Sequence, residues 1–402
     1  MAAERDSESV ERLSNEAKGL TRRDLLRSFA SAVLVAPVMV QAACSDGGGD
    51  AGDQGGDAGS DSGGAPDGAS DGASDDATEV VSCEPVGGGA AVTHGPLTGA
   101  VTDTSITIAA RLDGAALVQF EARRADGSGE ATLSGCAQAN EATGFTIKGT
   151  VDGLQPATIY AITPLVDGVA VAGAAIESHT FPAIGAPAAF HFTFGSCQRQ
   201  TGTDGKPGSA SDGATFEAMA AQAERPLFFA QIGDWTYPDY YYMKDAGGGG
   251  FGGGLDADGN NYTAFPEKLE ASWLRRLNPD FAMRKVLAKV PLAHVWDDHD
   301  FAQNNANRMV KGDQSVRVDT FERYLPCYPL PVSRLGVWQR FSAGHVDFWL
   351  TDMRSQRDPI DKALKTIEKD GEKQVVFEEP AQHSMLGNEQ IEWLLDGLRT
   401  ST

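Results

Sequence analysis

Five short segments in the second half of the chain limit what it can fold into: Phe194-Gly-Ser-Cys-Gln198, Gly233-Asp-Trp-Thr-Tyr237, Trp296-Asp-Asp-His-Asp300, Thr351-Asp-Met-Arg-Ser-Gln-Arg357 and Met385-Leu-Gly-Asn-Glu-Gln390. The first three each end an apolar run of strand character and set Cys, Asp, Tyr or His at its C-terminal tip. Open α/β sheets build their sites at such tips. Carboxylates, a phenol, a thiol and an imidazole gathered there suit hard or borderline metal ions better than any other common task. The pattern points to a metal-dependent enzyme.

The runs around these segments set the domain organisation. Beyond Pro187, Phe190 to Phe194, Leu227 to Ile232, Pro291 to Val295 and Val346 to Leu350 read as strands, with helical segments at Ala214 to Ala223 and Leu269 to Lys289. This alternation predicts an α/β domain over 188–402. The aromatic- and Gly-rich stretch from Tyr237 to Asn261 is long for a connection, as functional loops often are. Ahead of it, Ser105 to Ala110, Ala116 to Glu121, Gly144 to Lys148 and Thr158 to Thr163 alternate with turn residues, which predicts a β-sandwich over 86–185. Its stretch Val151 to Tyr160 resembles a fibronectin type III module, in which a Leu and a Tyr fill the core beside a Pro turn. A spacer is the plain role for such a unit, since the fold alone implies no activity.

Residues 1–44 read as a targeting signal. Thr21-Arg-Arg-Asp-Leu-Leu-Arg27 precedes the apolar stretch Phe29 to Val40, and Ala42-Ala43-Cys44 follows. This resembles a twin-arginine signal joined to a lipoprotein cleavage site, with lipidation at Cys44 and Gln41 standing where an aliphatic residue is usual. The apolar stretch is shorter than the ~20 residues of a membrane span. Residues 45–82 form an acidic Gly/Ser/Asp linker, too poor in apolar surface to order itself. Between Ser45 and Val80 it carries 10 of the acids behind the net charge of -23 and no Lys or Arg, leaving about -13 for the rest. No specific nucleic-acid surface fits that balance. Periplasm or cell envelope is the expected location, with the twin-arginine export machinery and, through the lipid at Cys44, a membrane as partners. Cys83 and Cys136 are a candidate disulfide pair, and Cys327 has no obvious partner.

In this order, the five segments resemble the PhoD family of exported alkaline phosphatases and phosphodiesterases, related to the purple acid phosphatases within the metallophosphoesterase superfamily. The resemblance covers roughly residues 90 to 400. It implies a fibronectin-type-III-like β-sandwich followed by an α/β/β/α-sandwich metallophosphoesterase domain. It also implies that Asp234 bridges two metals, that Tyr237 and Cys197 bind a ferric ion, and that Asp298 and an amide such as Asn305 (or Asn304) bind a second ion, Ca2+ or another divalent cation. His299 would face the phosphate, Asp300 would orient that imidazole, and Arg354 would reach a phosphoryl oxygen. For Arg354 and Arg357 a salt bridge to Asp352 or Asp358 is an equal alternative. The last segment starts a helix with an architectural role.

The implied activity is hydrolysis of phosphate esters, monoesters or diesters, by a metal-activated hydroxide, with no phosphoenzyme. The family continues beyond Thr402 with further His and Asp ligands, so a domain lacking its C-terminal part is expected. Five protein ligands are few for two octahedral ions, and His345 and His383 lie in no ligand motif. The alternative is therefore a catalytically inactive homologue acting as an anchored binding or scaffold protein.

Overall fold

The computed structural model describes residues 87, 89–198, 213–237, 266–279, 281–310, 312–359, 364–369, 371–377 and 383–401. The signal, Cys44, the linker, Cys83 and all but the first residue of the Tyr237 to Asn261 stretch lie outside them. The described residues belong to one compact unit. Among them, no helix is long and apolar enough to cross a membrane.

Nine strands come first in the chain: β1 Val92–Gly99, β2 Ile106–Leu112, β3 Ala116–Arg124, β4 Thr132–Leu133, β5 Ala137–Ala139, β6 Thr146–Val151, β7 Ile159–Val166, β8 Val169–Ala170 and β9 Ile176–His179. Burial alternates along β7, with Tyr160, Ile162, Pro164 and Val166 buried between more exposed neighbours. That period of two commits one face to a core. One sheet runs β4-β3-β7-β8, with β5 against β3 and β9 against β7; β1, β2 and β6 belong to the other. Ile106, Ile108, Leu112 and Val151 from one sheet share a core with Val118, Phe120, Tyr160 and Ile162 from the other. The Tyr160 hydroxyl accepts the Gln155 N–H at 2.8 Å, so its polar tip is satisfied at the edge of this core.

Three short strands follow, β10 Thr193–Gly195, β11 Phe229–Gln231 and β12 Leu292–His294. They are parallel to one another and extend the sheet of β1, β2 and β6 in the order β10-β11-β12-β1-β2-β6. Sandwich and parallel strands thus share one backbone ladder, joined at the parallel pair Gly99 and Leu292. A side chain at Gly99 would put its Cβ 2.6 Å from the Leu292 carbonyl oxygen. Glycine lets the two strands meet there. The contact continues at Tyr328, whose hydroxyl donates to the Val101 carbonyl at 2.8 Å while its ring stacks on Phe341 at 4.6 Å.

Helix α1 is Gly213–Ala220. The single helix expected from Leu269 to Lys289 is instead two, α2 Pro266–Arg276 and α3 Met283–Leu287. Asn278-Pro279 lies between them, and the residue before a proline is pushed out of helical geometry. The expected fourth strand also differs. β13 Gln339–Ala343 and β14 Val346–Leu350 form an antiparallel hairpin over the two-residue turn Gly344-His345, and β14 does not join the parallel sheet. So short a turn forces adjacent antiparallel pairing, whereas a parallel partner would need a long crossover. A further hairpin pairs β15 Leu364–Lys369 with β16 Glu372–Phe377. Helices α4 Asp298–Phe301, α5 Gln314–Tyr324 and α6 Asn388–Thr400 complete the described α-helices. Cys136 is disulfide-bonded, whereas Cys197 and Cys327 are in no disulfide.

Candidate metal centre

The tips of β10, β11 and β12 lie side by side, because three parallel strands in register end at one edge of the sheet. Cys197 and Asp234 sit just past two of these tips, both with left-handed backbones at φ +57° and +55°. Backbone bonds lock the turns together, Cys197 N–H to the Gly233 carbonyl at 3.1 Å and Gln198 N–H to the Asp234 carbonyl at 2.9 Å. Gly233 has φ +111°, and a Cβ there would lie 2.8 Å from the Asp297 nitrogen and collide with the Asp297 side chain. A residue without a side chain is what allows the second tip to touch the third. Non-glycine residues held at positive φ are strained, and such strain concentrates at functional sites.

Asp234 is the hub. Its Oδ2 accepts from the Tyr237 hydroxyl at 3.2 Å and from the Cys197 thiol at 3.5 Å, and its Oδ1 lies 3.4 Å from the His299 backbone N–H. One ligand atom each from Asp234, Asp298 and His299 lies within 4.8 Å of the others, and all three residues are buried. The His299 ring packs on Tyr237 with centroids 4.5 Å apart. Cys197, Asp234, Tyr237, Asp298 and His299 are therefore brought together. Asn305 reaches the cluster through its backbone, its N–H donating to Asp298 Oδ2 at 2.6 Å.

Electrostatics here are dominated by burial. Burial first, and then the Asp298 charge, push the Asp234 carboxyl well above the usual carboxylate range. Burial and Asp234 push the Tyr237 phenol further up still. Burial also opposes ionisation of Asp298, but Arg354, His299 and the Asn305 amide outweigh it and hold that carboxyl below its ordinary value. Two buried acids so close cannot share ionisation without a compensating cation. An oxygen-rich set with one thiol, one phenol and one imidazole is a donor set that hard and borderline cations fit.

Asp300 departs from its expected role of orienting His299. Its Oδ1 accepts from the Thr236 hydroxyl at 3.0 Å as well as from the Thr236 N–H, and its Oδ2 accepts the Asp297 N–H at 3.0 Å. It stands third in the first turn of α4, from which a carboxylate folds back onto the amide at the helix start. Burial raises its pKa to about 6, against the pull of those donors. Asp300 fastens the second tip to the third.

Arg354 pairs with neither carboxylate anticipated for it. Its Nε donates to Asp297 Oδ1 and its Nη1 lies 3.7 Å from Asp298 Oδ2. Asp352 instead collects backbone amides, and Asp358 pairs with Arg308 and accepts the Ser384 N–H at 2.8 Å. No carboxylate pairs with the Arg357 guanidinium among the described residues. His345 lies in the β13–β14 turn, where its Nδ1 faces the Ala188 N–H at 3.4 Å. The roles of Gly233, Thr236 and Asp297 went unread in the sequence, although all three stand inside quoted segments. Close approach of two chain regions has no one-dimensional signature beyond a Gly or an Asp in the right place.

Comparison with known proteins bears on the family and on the fold. The family model described as PhoD-like phosphatase matches residues 192–402. Alkaline phosphatase D of Bacillus subtilis (strain 168) is 30% identical over 137 residues, 31% of this chain and 22% of that protein. A solved structure of PhoD superposes with a TM-score of 0.56 at 19% identity, covering 77% of this chain and 60% of the other. A purple acid phosphatase from yellow lupin seeds gives a TM-score of 0.48 at 12% identity over 76% of this chain and 48% of its own. The chain thus spans about a fifth of the curated relative and three fifths of the solved PhoD chain.

Proposed function

The chain belongs to the PhoD-like phosphatase family, and we propose from that premise that it is a metal-dependent phosphoric ester hydrolase acting on monoesters or diesters. The observation that carries this reading is the buried convergence of Asp234, Asp298 and His299 past the ends of two adjacent parallel strands, with the Tyr237 hydroxyl and, from past a third, the Cys197 thiol on the same Asp234 oxygen.

Cys197, Asp234 and Tyr237 would hold a ferric ion. Asp298, with Asp234 shared and the Asn305 amide in reach of the same loop, would hold Ca2+ or another divalent ion. The Tyr237 phenol supports the ferric assignment, since burial holds it far from ionisation and only a strongly Lewis-acidic partner brings a phenol down to neutral pH. Bound cations would supply charge against the phosphoryl oxygens and acidify a water for in-line attack. The chain's own groups do the rest. His299 would hand a proton to the leaving oxygen, and Arg354 neutralises Asp297 and Asp298 while keeping a guanidinium nitrogen beside the cluster.

Export and anchoring belong to the same proposal. A disulfide at Cys136 fits an oxidising compartment, as the twin-arginine signal and the lipidation site at Cys44 require. The hydrogen bond from Gln155 N–H to Tyr160 supports a fibronectin-like corner in the sandwich, which we assign as a spacer. The test is metal analysis of the purified chain together with hydrolysis of bis(p-nitrophenyl) phosphate. Bound iron with turnover is expected. Bound metal without turnover favours the anchored binding protein, and absence of both removes the metal reading.

A further inference from the structure

Asp352 is the most completely enclosed carboxylate near the centre, and it touches none of the candidate ligands. Its residue is 0% exposed, as are Ser355 and Gln390. Its Oδ1 accepts the Arg354 N–H at 2.9 Å and the Ser355 N–H at 3.0 Å; its Oδ2 accepts the Val337 N–H at 3.0 Å and the Ser355 hydroxyl at 2.6 Å. The main chain of Asp352 is in turn clamped by one side chain. Gln390 Oε1 accepts the Asp352 N–H at 2.7 Å, and Gln390 Nε2 donates to the Asp352 carbonyl at 2.8 Å and to the Leu386 carbonyl at 3.1 Å. A carboxamide that matches a backbone N–H and C=O at once acts as a two-point clip, and buried groups so saturated are rigid.

Two residues beyond this clip stands Arg354. Its side chain is 13% exposed, its Nε is committed to Asp297, and its Nη1 is buried without a hydrogen-bond partner 3.7 Å from Asp298 Oδ2. A buried guanidinium nitrogen left with unused donors, beside candidate metal ligands, suits an added oxyanion. The chain from Gln390 through Asp352 to Arg354 is continuous in hydrogen bonds.

We propose that Gln390 and Asp352 are positioning residues that hold Arg354 so that its Nη1 takes an oxygen of a phosphoryl group, making the start of α6 a working part of phosphate recognition. This rests on the phosphoric ester reading above. It adds to that reading which residues aim the arginine and which of its nitrogens is available. A guanidinium held by its own loop loses little freedom on binding, and that is the source of its affinity.

The experiment measures inorganic phosphate affinity by calorimetry on the metal-loaded 402-residue chain, for Arg354→Ala, Gln390→Ala, and the two combined. Gln390→Glu, which keeps the acceptor for Asp352 N–H but not the donors, serves where the alanine variant melts early. Arg354→Ala is expected to weaken phosphate roughly 10- to 100-fold. Gln390→Ala or Gln390→Glu should weaken it ~3- to 10-fold when Arg354 is present and have no further effect when it is absent. Equal losses in both backgrounds, or unchanged phosphate affinity in a folded Gln390 variant, would overturn the proposal. A wild-type chain that binds metal but neither phosphate nor ester sinks the phosphatase reading itself, a result distinct from the Gln390 outcomes.

Discussion

The sandwich and the strand tips share one sheet yet are built on opposite terms. In the sandwich, the buried Thr98 and Ser178 hydroxyls meet at 2.9 Å, and the Phe120 N–H reaches the Ser134 hydroxyl at 2.9 Å. Among the described residues of the sandwich, no carboxylate is buried. At the tips, Asp234, Asp298 and Asp300 are all buried within one turn of chain or one strand spacing, and burial drives two of them away from their ordinary ionisation. The first region is arranged for its own stability. The second holds charge that its protein neighbours only partly balance, and the stable scaffold bears that strain.

The largest test of this contrast is Asp234→Asn. Hydrolysis should fall on the order of 10³-fold, while the metal-free chain should gain about 1–3 kcal/mol in urea unfolding because a buried acid is removed. If the metal-free variant is no more stable than wild type, the tips are not strained as described.

Phe341→Ala probes the apolar core that the sandwich shares with later segments. Phe341 packs against Phe181, Phe228, Tyr328 and Phe348 at centroid distances of 4.6 to 6.0 Å, so truncation should cost about 3–5 kcal/mol. Metal bound per folded molecule, measured by elemental analysis, should not change.

A smaller effect is expected at the seam between the regions, where His179 Nε2 meets the Leu227 carbonyl at 2.9 Å. Burial, assisted by Arg225, lowers its pKa from 6.5 to about 4 despite that bond. Above pH 6.5 both folded and unfolded chains hold it neutral, and it makes no difference to stability. Between pH 6.5 and 4 the unfolded chain takes up a proton that the folded chain refuses, so stability falls as pH falls, by about 3 kcal/mol in all. His179→Gln should remove that share of the slope in unfolding midpoints compared at pH 7 and 4.5. His294, lowered to about 3 by burial, keeps its own.

Gly233→Ala sharpens the comparison most finely, since it adds one methyl group at the junction of two tips. A loss of about 1–3 kcal/mol is expected from thermal melting, with a ~10²-fold drop in turnover as the tips are displaced. Equal turnover would mean that Asp234 and Asp298 need not touch this closely.

How much of this was legible in sequence differs by residue. Cys197, Asp234, Tyr237, Asp298 and His299 were readable because each follows an apolar run, and strand polarity alone carries such residues to one edge. The family was readable from the order of the segments. Asp300 was misjudged because a carboxylate beside a histidine looks like its partner, whereas the helix start claims it first. Arg354 was assigned to the centre or to a nearby acid in its own loop; its actual partner is Asp297, 57 positions away. Gln390 looked purely architectural, since nothing local shows that a helix start will clip the main chain of Asp352, 38 residues earlier.

The sequence by itself determined the chemistry on offer and the ends of the strands that present it, because alternation, apolar runs and the residues that follow them act over a few positions. Only the tertiary structure decided which acids became partners, that β1 would tie the sandwich into the parallel sheet, and that β14 would turn back on β13. Those outcomes depend on close approach, at Gly99 and Gly233 above all, and on which burial leaves each charge least exposed. Such energies belong to pairs of distant residues and have no expression in either one alone.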